Sequence, residues 1–126
     1  MKRSWIGAGL LLLLLLGGIL STRAMDRIHG PMAQELKAAG EQALSGNWEE
    51  AIALSREVSR SWQRSEILRA CFSDHAPMEQ IDADLAVLEV YRDARDPEAF
   101  GALCIAIAEK IAALGQAQKL LVHNFL

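Results

Sequence analysis

Two hydrophobic patterns divide the chain. Between Arg3 and Arg23, nineteen consecutive residues, Ser4 to Thr22, carry no charged side chain, and Leu10 to Leu16 are all leucine. Beyond them, apolar residues recur every three or four positions, the spacing of amphipathic helices. Met32, Leu36, Ala39 and Ala43 mark a first such helix. Pro31 is expected in its first turn, where a missing N–H costs nothing, and Gly46 is expected to stop it in a left-handed conformation. Asn47 and Glu50 have capping-box spacing for a second helix of about twenty-five residues. Its stripe is Ala51, Leu54, Val58, Trp62, Leu68 and Phe72, and it ends near Asp74. A third helix is predicted from Pro77 to Ala94, with Met78, Ile81, Leu85, Leu88 and Tyr91 on one face. Asp96 and Pro97 cap and open a fourth, striped by Phe100, Leu103, Ile107, Ile111 and Leu114, with Gly115 ending or weakening it. The apolar tail, Lys119 to Leu126, is expected to dock on the bundle.

No stretch alternates with period two, which argues against a sheet. The expected fold is all-α: an N-terminal transmembrane helix, then a four-helix antiparallel bundle made of two helical hairpins. Residues 1–22 form the anchor, 23–30 a juxtamembrane connector and 31–126 the helical domain. The two inter-helix turns, Gly46–Ala51 and Arg95–Ala99, look alike and resemble the turn of a tetratricopeptide-type hairpin. Two copies are fewer than such arrays need, so paired hairpins closing one bundle are the better reading.

As a helix at about 1.5 Å per residue, the uncharged segment would span about 28 Å, close to the hydrocarbon core of a bilayer. Its apolar run, Trp5 to Leu20, exceeds the usual core of a cleaved signal peptide, and Arg23 fits poorly inside the small-x-small site Thr22-Arg23-Ala24. A retained single-pass anchor is therefore expected, with secretion after cleavage as the alternative. Lys2 and Arg3 ahead of the run place the domain outside the cytoplasm, although Arg23 and Arg27 after it nearly balance the count.

Charge narrows the function. The chain has a net charge of −3, and the part after the leucine run carries 11 basic and 16 acidic side chains, a net of −5. Such a domain is a poor general nucleic-acid binder. Cys71 and Cys104 lack CxxC spacing, which disfavours a thiolate zinc site and leaves both a bridge and two buried thiols open.

Three constellations stand out. Asp74 and His75, with Glu79 one turn on and Asp82 and Asp84 nearby, could form a metal or small-ligand hinge, although a helix boundary collects the same residues. Arg56, Arg60 and Arg64 recur every four residues, either as a stripe for anionic lipid or wall polymer or as a solvated face paired with Glu57 and with Glu89 or Asp93. Trp48 and Trp62, fourteen residues apart, fall on nearly one helix face, either lining a groove or anchoring the core. No Ser-His-Asp set, phosphate loop or paired-carboxylate cleft can be argued, so no catalytic, metal or cofactor residue is assigned and enzyme activity is not expected.

The order of motifs has a wider likeness. A basic start and Leu-rich anchor precede "NWEEA" at Asn47–Ala51, Trp62, Asp74-His75, "QIDADLAVLEVY" at Gln80–Tyr91, "RDPEAFGAL" at Arg95–Leu103 and "HNF" at His123–Phe125. Together they resemble the bacterial domain-of-unknown-function family 4363. That resemblance implies a small single-pass protein with an all-helical outer part, and it supplies no catalytic residue. The fourth helix departs from the family pattern in being more apolar, with Cys104-Ile105-Ala106-Ile107-Ala108. The combined expectation is a non-enzymatic, membrane-anchored module that serves an envelope or membrane protein, with its oligomeric state left open.

Overall fold

A computed structural model describes the backbone of residues 2–66 and 75–125, and their side chains except those of 21–28, 75 and 117–125. Its described residues are helical, with short turns at 45–47 and 94–96 and no strand among them. Among the described residues the helices are α1 (Lys2–Leu44), α2 (Trp48–Arg64), α3 (His75–Asp93) and α4 (Pro97–Phe125).

The expected stripes form the core. Met32, Leu36, Ala39 and Ala43 of α1 are buried, as are Ala51, Val58 and Trp62 of α2. Met78, Ile81, Leu85 and Leu88 of α3 join Phe100, Ile107, Ile111 and Leu114 of α4 in the same cluster. Leu54, Tyr91 and Leu103 pack against it half-buried.

Boundaries differ from expectation in four places. First, α1 is one helix of 43 residues with Pro31 inside it, not a new helix opening at Pro31 after a connector. Proline removes one backbone hydrogen bond and crowds the preceding turn. Here His29 before it and Met32 after it are both buried, so packing holds the helix through the proline. Second, α2 ends at Arg64 after 17 residues, and the Ser65 hydroxyl donates to the Trp62 carbonyl at its end. Leu68 and Phe72 of the expected longer stripe lie outside the described residues. Third, Asn47 makes no side-chain cap to α2. Its Nδ2 instead donates to Gln42 Oε1 at 2.7 Å, tying the turn back to α1. Fourth, Gly115 is buried within α4, which continues to Phe125. The side chains of the tail, and so its docking, lie outside the described residues.

The two turns share one backbone design. After α1, the N–H groups of Ser45, Gly46, Asn47 and Ala51 donate to the carbonyls of Glu41, Ala43, Gln42 and Asn47. After α3, those of Ala94, Arg95, Asp96 and Phe100 donate to Val90, Arg92, Tyr91 and Asp96. Each bond has its counterpart 49 residues further on. Gly46 and Arg95 both take the left-handed conformation that ends a helix, at φ 90° and 53°.

Burial repeats at the same offset. His29, Met32, Leu36 and Ala39 of α1 correspond to Met78, Ile81, Leu85 and Leu88 of α3, and all eight are buried. Ala51, Ser55, Val58, Trp62 and Ser65 correspond to Phe100, Cys104, Ile107, Ile111 and Leu114, again all buried. The chain after the leucine run is thus built twice on one plan.

The copies meet unequally. α1 packs most extensively on α4, and α2 on α1, while α2 and α3 touch only sparingly. The α1–α4 approach is possible because two glycines face each other. A Cβ on Gly40 would lie 2.7 Å from the Gly101 carbonyl oxygen and 2.8 Å from Ile105 Cγ1. One on Gly101 would lie 2.8 Å from Leu44 Cγ.

Candidate interaction surface

The looser seam, between α2 and α3, gathers several of the residues singled out from sequence. At one end Trp62 is buried, with its ring centroid 6.2 Å from that of buried His29. Its Nε1–H donates to Asp82 Oδ1 across the seam at 2.5 Å. Beside that bond lies a recess of about 160 Å3 lined by Ser59, Gln63, Leu85 and Glu89. That is below the usual size of a small-molecule site, about 300–1,000 Å3.

At the other end, Trp48 is half-buried, with its ring edge-on to Phe100 at 5.0 Å. A second, more open recess there is lined by Trp48, Glu49, Ile52, Arg56, Arg92, Asp93 and Arg95. The two tryptophans therefore do not share one groove. They sit near opposite ends of α2, and each is a packing anchor, in keeping with the core alternative for both.

The arginine row also separates. Arg60 and Arg64 converge on Glu57, at 3.7 and 3.1 Å, and Arg64 reaches Ser61 Oγ as well. These pairs are exposed and each contributes about 0–1 kcal/mol. Arg56 lines the second recess, beside Asp93. Elsewhere, Lys110 of α4 pairs with Asp84 of α3 at 2.5 Å. α3 also presents Val87 and Val90 outward, 42% and 62% exposed.

Of the hinge constellation, Asp74 and the His75 side chain lie outside the described residues, and Glu79 is exposed. Among the described residues no three His, Cys, Asp or Glu side chains converge as a metal site would require. Cys71 lies outside the described residues, and Cys104 is a free, fully buried thiol. Burial pushes the Cys104 thiol up to about 12, which leaves it neutral and unreactive near pH 7.

The sequence pattern does not single out Gly40 or Gly101, and it places Asp82 with the hinge cluster and not with Trp62. Mid-helix glycine on a buried stripe was the available signal for the first two, since glycine weakens a helix unless a neighbour needs the space. For Asp82, the signal was the buried indole needing one acceptor.

The sequence model of a family described as "Domain of unknown function (DUF4363)" matches residues 19–125, which takes in nearly all of the helical domain and leaves out the leucine run. No curated protein and no solved structure matches the chain.

Proposed function

The chain belongs to the DUF4363 family, and from that premise we propose that it is a membrane-anchored, non-enzymatic interaction module whose helical domain lies outside the cytoplasm and serves a membrane or envelope protein. The observation that carries this reading is the division of α1. Residues Lys2–Leu20 are long and apolar enough to cross a membrane or act as a signal sequence, and none of that window is buried by the rest of the chain. Leu13 and Leu14 are 70% and 73% exposed, whereas Leu36 on the same helix is fully buried. Such a surface is covered by lipid at far lower free energy than by water.

The domain itself reads as an antiparallel bundle of two hairpins. The matching turns and the α1–α4 contact support that arrangement. The recess beside Trp62 is smaller than an ordinary small-molecule site, and the one at the Trp48 end, about 390 Å3, is lined by both acidic and basic side chains, a charge mixture that suits the rim of a contact with a folded partner. Arg60 and Arg64 are engaged by Glu57, so the polymer-binding reading gains no support, while the metal hinge lies mostly outside the described residues.

Alkaline extraction of membranes, followed by the intact mass of the protein, tests the anchor. The expected result is a pelleted chain that retains residues 2–20. A soluble chain beginning near Met25 would overturn it. Crosslinking in intact membranes tests the module reading, and recovery only as an isolated monomer across several detergents would count against a partner.

A further inference from the structure

The α1–α4 contact fixes a register, and the register has a destination. Gly40 lies against Gly101, Cys104 and Ile105, and Leu44 lies against Gly101. Thus α4 descends as α1 rises, and facing residue numbers sum to between 141 and 145, with the closest backbone approach at 141. Both helices rise by about 1.5 Å per residue, so the pairing carries along their length. α4 is a continuous helix as far as Phe125. Residue 125 then comes level with residues 16–20 of α1, at the end of the apolar span Lys2–Leu20. Pro31 does not divert α1 from this course, since His29 on its membrane side is still buried in the domain.

What arrives there is chemically suited to the place. The last turns of α4 read Lys119-Leu120-Leu121-Val122-His123-Asn124-Phe125, three apolar residues led by a cation and followed by two polar residues and a phenylalanine. Lys119 comes level with residues 22–26, a window that holds Arg23 and Asp26, with Arg27 next to it. Cationic side chains next to an apolar segment are the usual pattern where a helix meets lipid headgroups.

We infer that the last two turns of α4, residues 119–125, rest in the interfacial zone of the membrane that α1 crosses and touch lipid beside the end of its apolar span. The inference rests on the membrane reading above. It makes the bundle a module held to the bilayer at two points, one spanning and one superficial.

The test is photocrosslinking of the full chain in vesicles of phosphatidylcholine and phosphatidylglycerol. A benzophenone side chain is placed in turn at Leu121, at Val122, at Leu13 within the span and at Ala102, exposed at the far end of α4. Lipid adducts from Leu13 and from Leu121 or Val122, with only background from Ala102, are the expected result. Adducts from Leu13 but from neither Leu121 nor Val122 would overturn the second contact and leave the anchor standing. Adducts from Ala102 equal to those from Leu121 would overturn it too, because the whole domain would then lie flat on the bilayer. No adduct at Leu13 would remove the anchor and this inference together.

Discussion

The α1–α4 seam and the α2–α3 seam occupy equivalent places in the two copies of the hairpin plan, yet one is closed and the other open. Counting 49 residues along the chain, Gly40 corresponds to Glu89, and Gly101 corresponds to Ile52. Glycines let two helix backbones meet, whereas Glu89 and Ile52 at the matching positions line the recesses along the α2–α3 seam. The hydrophobic stripes are shared by both copies. The close approach of α1 and α4 rests on these two glycines, and the α2–α3 seam has no glycine at the matching positions.

The largest expected effect breaks the closed seam. Gly40→Ala drives a methyl group into the Gly101 carbonyl and Ile105, and overpacking of this kind costs about 1–3 kcal/mol. Its counterpart Glu89→Ala lies on an exposed position and should stay within about 0.5 kcal/mol of wild type. Urea unfolding of the full chain in detergent, for both variants, checks the pair. Equal losses would show that the two seams do not differ in the way described.

A second prediction separates Cys104 from its counterpart Ser55, whose hydroxyl donates to the Ile52 carbonyl. The thiol ionises near 9 when unfolded and near 12 when folded, so its neutral form favours the native state. That contribution is complete below pH 9 and is lost as pH rises from 9 towards 12, at up to about 1.4 kcal/mol per unit. Unfolding free energies measured from pH 8 to 10.5 should fall more steeply for wild type than for Cys104→Ala. Parallel slopes would refute the buried thiol.

The smallest effects sharpen the comparison of turns. Asp96 Oδ1 accepts from the Ala99 N–H at 3.3 Å, while Asn47 makes no such cap. Asp96→Ala should therefore cost about 1 kcal/mol and Asn47→Ala only a few tenths. Arg95→Gly should stabilise by about 0.5–1 kcal/mol, because Arg95 holds the left-handed conformation that Gly46 takes freely. Thermal unfolding of the three variants would rank them, and a stabilising Asp96→Ala would contradict the cap.

Much of this fold is legible in the amino-acid sequence. Periodicity marks the core stripes of all four helices, and Gly46 and the Asp96-Pro97 pair mark both turns, because each rests on a local rule. The differences arise where tertiary contact overrides such a rule. Pro31 reads as a beginning, yet buried neighbours on both sides carry the helix through it. Gly115 reads as an end, yet it is buried inside α4. Asn47 reads as a cap, yet its amide finds Gln42 first. The candidate surface is less legible. Trp62 is visible as a large residue, but its partner Asp82 is twenty positions away, and the fate of the arginine row depends on which rotamers reach Glu57.

With α1 as the proposed anchor, the unbroken helix also sets a phase relation between bilayer and domain. A helix advances about 100° and 1.5 Å for each residue. One residue added between Leu20 and His29 would therefore swing every outward face of the bundle by more than a quarter turn relative to the membrane, with the core itself untouched. Seven added residues would nearly restore the heading while lifting the domain about 10 Å. Whatever the domain meets beside the membrane, the azimuth and height at which it is offered are fixed by the number of residues in this one helix.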